Sequence, residues 1–202
     1  MNTIIFSQNV FHTNVKNLNH NKIFKELKKL DYKPIPSPAK SYFDTKQYIT
    51  TTFYILDKLP SGKELKLEME NQIKLAVESF GYQINDILIC NSWGTKTKPG
   101  NYSDWHTHNN FWLSLVYYPH GNFTISFHKP KMDYFLVPIK ERTSLNNNLY
   151  TFLVQEGDML IFPAYLEHKI GYNDTKMDRY SMALNILPRG TIGEADGLLT
   201  IG

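Results

Sequence analysis

The chain has 202 residues, 42% hydrophobic and 14% aromatic, with 22 basic and 19 acidic residues for a net charge of +3. That length suits one domain with a full core, and so small a net charge argues against a dedicated nucleic-acid binder, which usually carries a concentrated basic face. No stretch reaches the roughly 20 apolar residues of a membrane span. The start, Met1-Asn2-Thr3-Ile4-Ile5-Phe6, lacks the basic flank and long apolar run of a secretion signal. The single cysteine, Cys90, cannot close an internal disulfide and sits in the apolar run Ile87-Leu88-Ile89-Cys90, where a buried structural thiol is expected. The expectation is a cytoplasmic protein (host cytoplasm if phage-encoded) with no membrane contact.

In chain order, residues 1–85 read as a supporting segment. Ile4 to Val10 has the pattern of a short strand, and Asn21 to Leu30 that of a helix whose lysines (Lys22, Lys25, Lys28, Lys29) form a solvated face. Pro34, Pro36 and Pro38 make the next segment a connection, because neither a helix nor a central strand accepts them. Tyr48 to Leu56 is strand-like. Ser61 to Phe80 carries the clearest helical stripe: Leu65, Met69, Ile73, Ala76, Val77 and Phe80 share a face. Ser61 and Glu64 have capping-box spacing, and Gly81 is placed to end the helix.

From residue 86 to about 190 the pattern becomes short β runs separated by turns, with residues 191–202 as a tail. The runs are Ile87–Trp93, Tyr102–His108, Trp112–Tyr118, Phe123–His128, Asn148–Gln155, Asp158–Phe162, His168–Tyr172 and Arg179–Leu187. Strands this short at this spacing imply a sandwich or barrel. The long insert Lys129 to Asn147 is where substrate contacts are expected, and its Met132-Asp133-Tyr134-Phe135-Leu136 stretch would suit a peptide or an apolar metabolite.

The candidate chemistry lies in three places. His106 and His108, two apart on a predicted strand, point to the same side. His168, after the Asp158–Phe162 strand and Pro163, is placed to close a triangle with them. Asp104 shares the face of the pair and is the alternative third ligand; Glu167 is read as solvated, and His120 and His128 as surface residues. In the last strand Arg179, Ser181, Ala183 and Asn185 alternate with Tyr180, Met182, Leu184 and Ile186, which puts a polar set on one side. A buried Arg there needs an anion, and its planar fork suits a carboxylate; a structural Arg–carboxylate pair within the chain is the competing explanation.

Taken together, Asn91-Ser92-Trp93, His106-Thr107-His108, Leu113-Ser114-Leu115-Val116-Tyr117-Tyr118, Gly157 to Pro163, His168 and Arg179-Tyr180-Ser181 resemble the 2-oxoglutarate/Fe(II)-dependent oxygenases. More narrowly they resemble a branch found in bacteria and their phages, over residues 86 to 188. The resemblance implies a mainly β protein with N-terminal supporting helices around a double-stranded β-helix, or jelly-roll, core. It implies Fe(II) held by His106 and His168, with His108 where the family at large has the carboxylate of H-x-D. It also implies 2-oxoglutarate anchored by Arg179 and Ser181, with a hydroxyl from Tyr117 or Tyr118 and with Asn91 and Trp93 lining the pocket. The expected activity is hydroxylation of a small-molecule or peptide substrate with O2. Two other readings stay open: a three-histidine cupin-type dioxygenase or isomerase that takes no 2-oxoglutarate, and a non-catalytic jelly-roll binding module. A homodimer is a mild expectation from exposed sheet edges.

Overall fold

A computed structural model describes residues 8–35, 47–130, 138–143 and 146–202. The predicted strand from Ile4 and the aromatic stretch Met132 to Leu136 lie largely or wholly outside the described residues. The elements are β1 (Phe11–Asn14), α1 (His20–Leu27), β2 (Tyr32–Pro34), β3 (Gln47–Thr50), α2 (Gly62–Ser79), β4 (Asp86–Thr97) and β5 (Leu113–Tyr117). They continue with β6 (Phe123–His128), β7 (Leu149–Val154), β8 (Asp158–Pro163), β9 (His168–Ile170), β10 (Arg179–Ile192) and β11 (Leu199–Ile201).

Two antiparallel sheets face each other. The larger runs β1-β8-β5-β10-β4-β3-β2, with β11 added to the far end of β10; the smaller runs β7-β6-β9. Helices cover the other face of the large sheet, so its central strands are buried on both sides and read as near-continuous apolar runs. Along β5, Leu113, Leu115 and Tyr117 pack toward the helices with Ile23, Leu27, Leu65, Met69 and Ile73. Val116 and the adjoining Tyr118 pack toward the small sheet with Phe123, Ile125 and Phe127. β8 and β10 alternate in the same way: Met159, Ile161, Met182 and Leu184 face the helices, while Leu160, Phe162 and Ala183 face the small sheet. This mainly β architecture with two supporting helices agrees with the sequence expectation.

Several boundaries differ, each for a local reason. Tyr102 to His108 is not a regular strand; it meets the small sheet through one bridge, His106 to His168, and through Ser103, whose N–H donates to the Ile170 carbonyl at 3.1 Å. The predicted strand Tyr48 to Leu56 ends at Thr50, and Ile55–Asp57 form a short 3-10 turn. Pro34 lies on β2, the sheet's edge, where its missing N–H costs no ladder bond. β4 is longer than expected. Its register against β10 shifts because Asn185 pairs Asn91 while Ile186 pairs Ile89, which leaves Cys90 as the extra residue of a β-bulge. Cys90 is correspondingly half-buried rather than a core thiol.

The start of α2 also departs from expectation. Ser61 makes no side-chain capping bond. Instead Glu26 on α1 accepts from the Ser61 backbone N–H at 3.0 Å and from its hydroxyl at 2.9 Å, all of it buried. The helix end is thus satisfied by the neighbouring helix, which ties the two together. Glu26→Ala strands these donors, and an unsatisfied buried polar group costs roughly 1–3 kcal/mol. Urea unfolding is expected to show a loss of that size, with Glu26→Gln losing less because its amide oxygen still accepts.

Candidate metal centre

The His106–His168 bridge is reciprocal: each backbone N–H donates to the other's carbonyl at 3.0 Å. The His108 N–H donates to the Ala164 carbonyl at 2.8 Å, so the loop carrying the pair is stitched to the turn after β8. The three imidazoles converge. Ring centroids lie 5.5 Å apart for His106 and His108, 4.3 Å for His106 and His168, and 5.1 Å for His108 and His168. One potential ligand nitrogen from each lies within 4.8 Å of the others, and this is the metal-capable group found among the described residues. Asp104 is not part of that group; its contribution is a backbone carbonyl 2.8 Å from His106 Nδ1.

The hydrogen bonds decide which nitrogens are free. His106 Nδ1 donates to the Asp104 carbonyl, and His168 Nδ1 donates to the Leu166 carbonyl at 2.9 Å. His108 Nδ1 donates to Asn185 Oδ1 at 2.6 Å. A carbonyl can only accept, so each ring carries its proton on Nδ1 and keeps the Nε2 lone pair for a cation. That is the arrangement a metal-binding histidine needs.

Electrostatics act in the same direction. Burial, aided by the two neighbouring imidazoles, holds His168 well below the ordinary imidazole value. Burial likewise takes His108 to about 4, opposed by the bond to Asn185 and helped by His106. His106 stands at the exposed rim, and loss of solvent around its ring still lowers it. All three are neutral donors at physiological pH.

The rings open onto a cavity of about 220 Å³. β4 sends Asn91, Trp93 and Thr95 into it, β10 sends Ser181, Ala183 and Asn185, and β3 sends Gln47 and Ile49. None of its described lining residues is Asp, Glu, Lys or Arg. Ser181 Oγ is 2.6 Å from Thr95 Oγ1. Asn91 Oδ1 is buried without a partner among the described residues.

Other predicted residues fall differently. Tyr117 faces away from the cavity: its hydroxyl is 2.6 Å from His20 Nδ1, within the helix-side core. Tyr118 is on the cavity-side face of its strand, fully buried, with a hydroxyl that has no partner among the described residues. Arg179 is 6% exposed and does not line the cavity. Its guanidinium donates to the Tyr172 carbonyl at 3.0 Å and to Asp174 at 2.9 Å, while Nε is buried and has no partner among the described residues. His120 and His128 are not bare surface residues. His120 Nε2 accepts from the Tyr180 N–H and packs against Phe24 and Phe123; His128 stacks on Trp105 and bonds Glu167, whose side chain is about half-exposed. Sequence reasoning missed Ser114, Thr95 and Gln47. Ser114 was visible as a lone hydroxyl in an apolar strand; Gln47 had no signal, because its strand supplies the cavity only through tertiary pairing.

The model of the family described as "Putative 2OG-Fe(II) oxygenase" matches residues 91–185. No curated protein sequence matches the chain. Among solved structures, the non-heme alpha ketoglutarate dependent carbocyclase SnoK from nogalamycin biosynthesis superposes with a TM-score of 0.64 at 10% identity, covering 91% of this chain and 81% of that one. HygX from Streptomyces hygroscopicus, solved with nickel, 2-oxoglutarate and hygromycin B, gives 0.60 at 14% identity over 90% and 83%. A Pseudomonas putida prolyl-4-hydroxylase gives 0.60 at 11% identity over 91% and 94%. Identities this low establish the fold alone.

The low imidazole values carry a pH consequence. His108 and His120, the latter also held to about 4 by burial and the Arg179 charge, bind protons less readily when folded than the unfolded value of about 6.5. The unfolded chain therefore takes up protons first, and stability present above about pH 6.5 is lost as pH falls toward about 4. Thermal melts of the metal-free protein are expected to show that slope, on the order of a few kcal/mol in total. His120→Gln, which keeps an acceptor for the Tyr180 amide, is expected to flatten it.

Residues 91–185 thus match the family model described as "Putative 2OG-Fe(II) oxygenase", and the fold around them is the one these solved structures share.

Proposed function

We propose that the protein is an Fe(II)- and 2-oxoglutarate-dependent dioxygenase that hydroxylates a small-molecule or peptide substrate. The observation that carries the reading is the convergence of three neutral imidazoles, each with Nδ1 engaged and Nε2 free, on the mouth of an uncharged cavity. When bound, iron and 2-oxoglutarate supply the oxidising power, by coupling O2 reduction to decarboxylation of the 2-oxo acid into succinate and CO2.

The chain's own residues have four tasks in this reading. His106, His108 and His168 hold the metal from one side and leave its remaining positions to the cavity. Arg179, whose Nε lacks a partner among the described residues, binds the distal carboxylate of 2-oxoglutarate, and Ser181 with Thr95 offers hydroxyls beside it. Tyr118 is the tyrosine with a hydroxyl still available, and Asn91 offers an amide from β4 of the same sheet. Trp93, Ile49, Val116, Ile170 and Ala183 exclude water from the reacting carbon.

The Arg179–Asp174 pair favours a second reading, a three-histidine dioxygenase that takes no 2-oxoglutarate. Asp174 is 78% exposed, so its hold on the guanidinium is weak and a ligand carboxylate can displace it. Anaerobic Fe(II) titration with 2-oxoglutarate separates the two. The expected result is a weak visible charge-transfer band that is lost in Arg179→Ala. Iron bound at one equivalent without the band selects the second reading, and no iron uptake returns the chain to a binding module. Steady-state succinate release is expected to show Arg179→Ala raising the 2-oxoglutarate KM roughly 10- to 100-fold, the equivalent of a lost charged hydrogen bond. Asp174→Asn should lower it, and His168→Ala should abolish iron binding.

A further inference from the structure

We infer that Asn185, locked by Ser114, is the positioning residue that lets His108 serve as a metal ligand where the usual facial triad has a carboxylate. This inference rests on the proposed metal site. A carboxylate ligand presents two equivalent oxygens, so nothing need choose between them. An imidazole must present one particular nitrogen, deprotonated, with its ring plane aimed at the metal. Putting histidine at this position therefore creates a demand that the usual triad does not have.

His106 and His168 meet the demand locally, since each Nδ1 donates to the carbonyl of the residue two before it. His108 has no such neighbour. Its Nδ1 is held instead by a side chain 77 positions away in sequence, Asn185 Oδ1 at 2.6 Å. Asn185 is 5% exposed and Ser114 fully buried. The Ser114 hydroxyl donates to Asn185 Oδ1 at 2.9 Å and lies 2.9 Å from His108 Nδ1, closing a three-membered ring of contacts. In this arrangement the amide oxygen, not its NH2, faces the ring and also accepts from the hydroxyl. With the oxygen there, the proton must sit on Nδ1 and Nε2 is free. A reversed amide would donate to Nδ1 and put the ring proton on Nε2, where it would block the metal. Both anchors come from adjacent central strands, with Asn185 on β10 opposite Ser114 on β5. That placement makes the orientation a property of the centre of the sheet.

The test uses the full-length metal-free chain and Co(II) alone, read by ligand-field absorption and by the hyperfine-shifted N–H protons of the bound imidazoles. The wild-type protein is expected to bind one Co(II) and show three exchangeable N–H signals. Asn185→Leu is expected to weaken binding about 10- to 100-fold, the usual effect of removing a partner behind a ligand, and to lose the His108 signal to exchange while those of His106 and His168 persist. Asn185→Asp retains an acceptor and is expected to restore all three signals and to bind at least as tightly as wild type. Asn185→Leu with wild-type affinity and three signals overturns the inference, as does failure of Asn185→Asp to rescue. If Asn185→Leu does not fold, Ser114→Ala decides: a weaker site with a faster-exchanging His108 proton supports the role, and unchanged spectra refute it. Absence of Co(II) binding by the wild-type protein overturns the metal site itself and this inference with it, whereas binding without 2-oxoglutarate dependence overturns the proposed reaction and leaves Asn185's role standing.

Discussion

A reciprocal pair of backbone hydrogen bonds, between His106 and His168, ties the two halves of the candidate centre to each other. Among the described residues, the loop from Pro99 to Phe111 has no other regular strand pairing, and its bridge joins two of the three imidazole-bearing residues. Peptide groups are therefore the scaffold of the site, and side chains refine it. Such a bond is worth about 1 kcal/mol net, so the loop cannot rest on it alone. Outside the cavity, Trp105 stacks on His128 at 3.5 Å and Lys169 sits over the same indole at 4.7 Å. The bridge is thus clamped between an aromatic stack on one side and the imidazole cluster on the other.

The layering explains why the site is where it is. A strand buried on both faces must be apolar on both, and β5, β8 and β10 obey this almost throughout. The exceptions on the cavity side are Ser114, Ser181 and Asn185, together with Asp158 and Arg179 at the first positions of β8 and β10, all buried. Burying a polar group without a partner is costly. Here Ser114 and Asn185 satisfy each other and His108, and Ser181 pairs with Thr95. Polarity in this core is confined to groups with assigned partners, apart from Asn91 Oδ1, Tyr118 Oη and Arg179 Nε, which lack one among the described residues. Of those three, only Asn91 Oδ1 belongs to a residue that lines the cavity.

Much of this was legible from residue order. The H-x-H pair and the later histidine pointed to the three imidazoles that converge, and alternation in the last strand pointed to the face that lines the cavity, although Arg179 of the R-x-S ending does not line it. Strand positions from β5 onward were readable within a residue or two at most ends, because apolar runs and Gly–Asp turns mark them. What the sequence hid was tertiary. Tyr117 and Tyr118 are adjacent aromatics in one run, and only the layer order shows that one faces the helices and the other the cavity. Ser61 has the spacing of a capping box, yet a carboxylate from another helix takes over. Arg179 has the position of a cosubstrate anchor, but its pairing with Asp174 depends on a turn whose conformation no spacing rule gives.

The bulge at Cys90 governs more than strand curvature. Before it, Ile87 and Ile89 belong with the helix-side core; after it, Asn91, Trp93 and Thr95 face the cavity. In an unbroken strand all five positions would share a face, so the extra residue reverses the parity of the chain midway. What is stored at this position is a count rather than a chemical identity. Replacing the thiol by another small side chain keeps the bulge, whereas pairing the same residues without a bulge would turn the amide, the indole and the hydroxyl toward the helices. The cavity wall is written in the pairing register of the backbone, and the identity of the side chain at the bulge leaves it untouched.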